Sequence, residues 1–385
     1  MTADSAERAA CAALAALPAL SPRALRRILR HHDALDAWER VRAGRPLASA
    51  AAEGFQPRTL RQLVEHARSV EPDAIMAACA AVGAEVLLPD DAGFPALLAG
   101  DRDPPAMLFV RGDLAHLRRR RVGIVGTRNA TAAGRATAFE LGESLAADGV
   151  AIVSGLARGI DGAAHRGVRA AGGTAIAVVG SGPDVPYPRQ HRDLWDWVAA
   201  DGLLVSEWPP GTAAEAWHFP LRNRILAALS EVVVVVESRE RGGSLITAEC
   251  AFQRGITVLA VPGSPRSRAA AGTNDLLVSN RAQLVTSVDD VLVALGLDTS
   301  RMSGDIPLDR SGHGDPRRPP HSPVTVEARV FALCADRPCT LDDIVTELQV
   351  TVHEAAMAAA RLERDGWVVD TGGWLEPAGS KLGAS

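Results

Sequence analysis

Three glycine- and arginine-bearing turns carry most of the chemistry written into this chain. Residues Ser154–His165 read SGLARGIDGAAH and directly follow the apolar run Val150–Val153. Ser154, Gly155 and Gly159 free the backbone for a tight strand-to-helix turn, Arg158 adds a cation, and Asp161 is placed to cap the helix that follows. Such a turn receives an anion. GTRNAT at Gly126–Thr131 follows the strand-like Arg121–Val125, and RGGSLITAE at Arg241–Glu249 follows Glu231–Val236. In the first of these, backbone amides and the Thr127 hydroxyl at Gly126-Thr127-Arg128 can hold a phosphate while Arg128 offers a planar fork. Three such turns at strand ends describe a phosphate-binding face, whereas any one alone reads equally well as a glycine turn with a surface arginine.

Two further segments supply rings. GSGPDVPYP at Gly180–Pro188 contains Tyr187, the chain's single tyrosine, and SEWPPGTAAEAWHFPLRNR at Ser206–Arg224 holds Trp208, Trp217 and Phe219 near Arg222 and Arg224. Rings beside guanidinium groups are the equipment for stacking bases and following a strand's phosphates. Trp208 and Phe219 also fit a core role. Catalytic arrangements are weaker. Ser154, Asp161 and His165 lack the GxSxG elbow of a nucleophile, so His165 is expected to be a hydrogen-bonded packing residue. Glu237 and Glu249 could serve as a general base only with a small substrate between them. Neither the GxGxxG spacing nor GxxxxGK[ST] occurs, and no His, Cys and Asp cluster has metal-ligand spacing, so no cofactor and no metal are expected.

The elements that must position these residues follow from hydrophobic periodicity. Residues 1–80 alternate alanine, leucine and arginine at helical spacing, with Ser21-Pro22 as a start and Pro57 and Pro72 as breaks, and predict a helical N-terminal domain. From there to 297, short valine- and isoleucine-rich runs at Arg121–Val125, Val150–Val153, Thr174–Val179, Leu203–Val205, Val232–Val236, Thr257–Val261 and Leu284–Val285 alternate with amphipathic segments. That pattern predicts an α/β core with a parallel sheet covered on both faces, which binds ligands beyond the carboxyl ends of its strands. Residues 298–323, rich in glycine, proline and charge, predict a flexible linker. Residues 324–385 predict helices at Thr325–Ala335, Thr340–Gln349 and Thr351–Asp365, the third with Thr351 and Glu354 as a capping box, then a hairpin turning at Gly372-Gly373. Three helices and a hairpin in that order make a winged-helix domain. Its third helix offers Arg361 and Arg364 beside Glu354 and Glu363, leaving DNA and protein contact both open.

Composition narrows the class. The chain has 385 residues, 47% of them hydrophobic, enough for two or three domains with full cores. No apolar run reaches a membrane-spanning length and the N-terminus lacks a signal-peptide pattern, so no membrane partner and a cytoplasmic location are expected. Cys11, Cys79, Cys250, Cys334 and Cys339 form no CxxC pair, which argues against a zinc site or a disulfide framework. A net charge of −5 excludes indiscriminate attraction to nucleic acid. Phosphate contact must therefore come from local arginines, since Lys381 is the only lysine.

Taken in order, IVGTRNAT, IVSGLARGID with its following AH, GSGPDVPYP, LLVSEWPPG, FPLRNRILAALS, VVVVVESRERGGSLITAE and VLAVPGSP resemble the bacterial DNA-processing protein A (DprA/Smf) family over about Leu87–Val293. The resemblance implies an extended Rossmann-like fold that forms a homodimer, binds single-stranded DNA and helps load the RecA recombinase during natural transformation. By position it implies that Gly126, Thr127 and Arg128 form a first phosphate loop and Ser154, Gly155, Arg158, Gly159 and Asp161 a second. Arg222, Asn223 and Arg224 match the family's RNR segment, and Gly242, Gly243, Ser244 and Thr247 its GS(L)IT turn. Tyr187 joins them as a nucleic-acid-binding candidate. The chain departs from the family pattern at His191, where asparagine is usual, and at Arg281-Ala282, where a glycine-alanine pair is usual. RGGSLITAE also resembles the PGGxGT turn of the lysine-decarboxylase-like phosphoribohydrolases, which cleave nucleoside monophosphates. That alternative predicts neither the RNR segment nor the C-terminal unit.

Overall fold

The computed structural model describes residues 3–297, 325–336, 339–364, 367–370 and 375–377. They divide into two compact units, Met1–Met302 and Ser303–Ser385. The expected linker at 298–323 and the turn at Gly372-Gly373 lie outside the described residues.

The first unit is built on a nine-stranded sheet. Its strands are β1 (Glu85–Leu87), β2 (Leu108–Gly112), β3 (Arg121–Val125), β4 (Ala151–Ser154), β5 (Ala175–Val178), β6 (Leu203–Ser206), β7 (Val232–Val235), β8 (Thr257–Ala260) and β9 (Gln283–Leu284), in the spatial order β1-β2-β6-β5-β4-β3-β7-β8-β9. From β6 to β9 every pairing is parallel, whereas β2 runs antiparallel to both β1 and β6. The short β-branched runs are buried on both faces because helices cover both. On one face Leu141, Leu145, Val168, Leu194 and Trp195 from the helices Ala132–Ala147, Ile160–Ala170 and Arg192–Asp201 pack on Val122, Ile124 and Ile152. On the other, Ile225, Leu226, Ala251 and Leu276 from the helices His218–Leu229, Gly243–Phe252 and Ala271–Val278 meet Val125, Val153 and Val233. Helices Ala132–Ala147 and Ile160–Ala170 touch backbone to backbone, since a Cβ on Gly167 would fall 2.0 Å from the Phe139 carbonyl oxygen. After β3 the chain winds outward one way through β4, β5 and β6, and then the other way through β7, β8 and β9. A crevice therefore opens at the carboxyl ends of β3 and β7.

The N-terminal helices, from Ala3–Ala15 to Pro72–Ala81, bury Leu14, Leu17, Ile28, Trp38 and Leu63 in one cluster with Val86, Met107 and Phe109. They are thus joined to the sheet through β1 and β2, two strands that the periodicity did not reveal. Leu108 and Val110 of β2 face the sheet's helical layer while Phe109 faces the N-terminal helices. Pro57 and Pro72, expected as breaks, stand at the first helical position of the helices Pro57–Ala67 and Pro72–Ala81, where the missing N–H costs nothing.

In the second unit the helices Thr325–Asp336, Leu341–Leu348 and Val352–Arg364 precede an antiparallel pair, β10 (Val368–Asp370) and β11 (Leu375–Pro377). Val330, Ile344, Leu362 and Trp367 fill its core. The capping box is present: Glu354 accepts the Thr351 N–H at 2.9 Å and the Thr351 hydroxyl accepts the Glu354 N–H at 3.2 Å. No helix among the described residues is long and apolar enough to cross a membrane.

Candidate nucleic-acid interface

The carboxyl ends of the central strands open into a cleft of about 540 Å³. Gly126, Thr127 and Arg128 reach it from β3, Asp161 from the helix after β4, and Tyr187 from the loop after β5. Helix His218–Leu229 supplies Phe219, Arg222 and Asn223, and the turn after β7 supplies Arg239, Arg241, Gly242, Gly243, Ser244 and Thr247. The charged lining is Arg128, Arg222, Arg239 and Arg241 against Asp161 alone. The cleft therefore favours anions.

The first turn is held differently from a plain phosphate cradle. The Thr127 N–H donates to the Glu237 carbonyl at 2.7 Å, and the Glu237 carboxylate accepts the Thr131 N–H at 2.8 Å and its hydroxyl at 2.9 Å. A side-chain carboxylate already occupies the N-terminus of helix Ala132–Ala147, where a ligand phosphate would otherwise sit. What this turn offers the cleft is Arg128, exposed, with its guanidinium 4.3 Å from the Phe219 ring centroid. Phe219 in turn lies 5.3 Å from Tyr187, which is 42% exposed. Arg128 thus lies over the Phe219 ring, and Tyr187 packs against Phe219 at a tilt of 38°, so the three are in contact in one cleft.

The second turn builds the floor. Gly159 has φ +78°, and a Cβ there would fall 2.2 Å from the Thr127 carbonyl oxygen, so glycine is what lets the two turns lie against each other. At Gly155 a Cβ would meet Arg222 Nη1 at 2.3 Å. Arg222 is buried beneath the cleft, donates to the Val178 carbonyl, and has an Nε without a partner among the described residues. Burial pulls its pKa down to about 10, against the pull of Asp161. Burial likewise pushes Asp161 up, opposed by Arg222, and Asp161 accepts the Gly155 N–H at 3.2 Å. Arg222 stays cationic at neutral pH, a buried charge with one donor to spare.

The third turn starts helix Gly243–Phe252, whose first amides have no side-chain cap. Exposed Arg239 and Arg241 flank it, and Asn223 Nδ2 donates to the Gly243 carbonyl at 3.2 Å. Uncapped amides with two arginines beside them make this the helix end open to an anion.

Of the candidates read from sequence, Ser154, Gly155, Arg158, Gly159 and Arg224 do not line the cleft. Ser154 is buried and its hydroxyl donates to the Ile124 carbonyl at 2.6 Å. Arg158 is exposed and is not part of the cleft lining. Arg224 is turned away and buried, paired with Glu207 at 2.6 Å and with Asp103 at 3.4 Å. His165 is fully buried in the core as a packing residue, with the Ile152 and Ile176 backbone beside its ring, and burial pulls its pKa down to about 4. Glu249 pairs with Arg281 away from the cleft. Arg239 was missed. Its spacing of two from Arg241 is the signal that both belong to one turn. Among the described residues no cluster could hold a metal ion.

Residues 85–296 match the family described as DNA recombination-mediator protein A. The chain belongs to that family. The matched segment contains every strand of the sheet and all residues of the cleft. Among its relatives, Protein Smf of Synechocystis sp. is 31% identical over 93% of this chain and 96% of its own. DNA processing protein DprA of Bacillus subtilis is 43% identical over 52% of this chain and 68% of its own. The X-ray structure of DprA from Streptococcus pneumoniae superposes with a TM-score of 0.61 at 31% identity, covering 73% of this chain and 95% of that one. The Helicobacter pylori protein, whose structure is described as giving insight into a single-stranded DNA binding mode, superposes with a TM-score of 0.51 at 27% identity over 55% of this chain and 95% of that one.

Proposed function

We propose that this protein binds single-stranded DNA through the cleft, protects it, and helps load RecA recombinase onto it in the cytoplasm during DNA processing and natural transformation. The observation that carries the reading is the row of Arg128, Phe219 and Tyr187 in contact along one cleft that Arg222, Arg239, Arg241 and the uncapped helix end at Gly243 also line. Rings accept any base and the arginines follow phosphates, which suits a strand bound without regard to sequence. The single-strand binding of the Helicobacter pylori relative supports it.

The hydrolase reading finds less support. Glu249 faces Arg281, Glu237 is spent on Thr131, and Asp161 is buried beside Arg222, so none of these three carboxylates is free to act as a general base. We read the second unit as a winged helix. Its Arg361 is tied to Glu327 at 2.8 Å, which favours a structural or protein-contact role over DNA reading. A two-fold homodimer through the sheet unit accords with the exposed Phe252, Val278 and Leu284 near the open edge at β9. The test is incubation with nucleoside monophosphates and, separately, with labelled oligothymidylate. Binding of the strand without release of base is expected, whereas turnover lost in Glu249→Gln would overturn the reading.

A further inference from the structure

Trp217 lies outside the cleft lining, 41% exposed, immediately before helix His218–Leu229. An exposed tryptophan leaves a large apolar face in water, and such a ring is ordinarily loose unless something holds it. Here it is held at both ends. Its indole Nε1 donates to Glu215 Oε2 at 2.7 Å, and its ring stands edge-on to His218 at 4.2 Å and 80°. His218 is buried, stacks on the buried Trp208 at 4.3 Å, and its Nδ1 lies 2.8 Å from the Gly180 carbonyl oxygen. Three rings thus run outward from the core and end on Trp217. The neighbours of Trp217 and His218 in sequence, Ala216 and Phe219, line the cleft. The exposed ring therefore stands at the cleft's rim, already fixed in place and needing little ordering on contact.

We infer that Trp217 is a second stacking platform, which takes a base of the strand after it leaves the cleft; this rests on the cleft being a single-strand site. Glu215 beside it gives the platform no cationic partner, so its contribution is stacking without phosphate contact. This distinguishes it from Arg128. Loss of the ring costs affinity for strands long enough to reach it and leaves the dependence on salt as it was. Loss of Arg128 lowers that dependence.

The experiment measures fluorescence anisotropy of labelled oligothymidylates of about four and about twelve nucleotides, across salt, with the full-length wild type, Trp217→Ala, Trp217→Phe and Arg128→Ala. Trp217→Ala should weaken the longer strand about 5- to 150-fold, the range set by one base stacked on a ring, and change the shorter strand little. Trp217→Phe should restore most of the loss, and the salt slope should stay at the wild-type value in both. Wild-type affinity for Trp217→Ala at both lengths would overturn the inference, as would an equal loss at both lengths accompanied by a lower melting temperature. If Arg128→Ala still weakens binding in either case, the cleft reading survives. If neither strand binds the wild type, both fall together.

Discussion

Replacing Arg224 by alanine should make the protein easier to unfold at neutral pH while leaving the salt dependence of strand binding unchanged. Its guanidinium and the Glu207 carboxylate are 3% and 2% exposed and 2.6 Å apart. Removing one partner leaves the other buried without compensation, which costs about 3–5 kcal/mol, a large part of a typical total of about 5–15 kcal/mol. The deficit should depend on pH. Burial pushes the Glu207 carboxyl above the usual range while Arg224 pulls it back, so the variant's Glu207 moves higher still. For an acid raised on folding, stability is fully present below its unfolded pKa of about 4.3 and is lost as pH rises through the folded value. The difference between Arg224→Ala and wild type should therefore be greatest near neutrality and shrink as pH falls toward about 4.3. Adding Glu207→Gln should recover much of it at neutral pH, because the uncompensated charge is gone. Urea denaturation followed by tryptophan fluorescence at several pH values reads all of this. An unchanged midpoint together with a salt slope smaller by about 0.7 would refute the reasoning and return Arg224 to the binding face.

Arg128→Ala should leave the fold intact and weaken single-strand binding, with the magnitude of the salt slope reduced by about 0.7 for the lost phosphate contact; an unchanged slope in a folded variant removes this turn from the site. A chain ending at Met302, the limit of the first compact unit, should fold and still bind single strands, and a folded truncation that binds nothing would make the second unit part of the main site. Light scattering should give a dimer at about micromolar concentration, and a monomer well above that concentration would contradict the two-fold assembly.

The parallel strands were legible as short apolar runs, most of them rich in valine or isoleucine and several closed by a glycine turn, as at Arg121–Val125 before Gly126. β1 and β2 were not, since β2 pairs antiparallel at the side of the sheet and divides its side chains between two different cores. The three turns were legible as glycine and arginine patterns, but what their residues do required the folded chain. Gly155 and Gly159 make room for Arg222 and for the first turn rather than lining the cleft. In the RNR segment a helix sends neighbouring side chains in different directions, so Arg222 goes to the floor of the cleft and Arg224 to a buried ion pair. Nothing in sequence spacing separates those two arginines. Glu237 is a similar case, a strand-end carboxylate whose partner, Thr131, is distant in the chain.

In the proposed function the arginines and rings of the cleft form a track for single strands. Titration of the full-length protein with labelled oligothymidylate, beside a duplex of equal length at the same salt, tests it most directly. Tighter binding of the single strand, with the preference lost in Arg128→Ala, is the predicted result. Equal affinity for duplex and single strand, unaffected by Arg128→Ala, would contradict it.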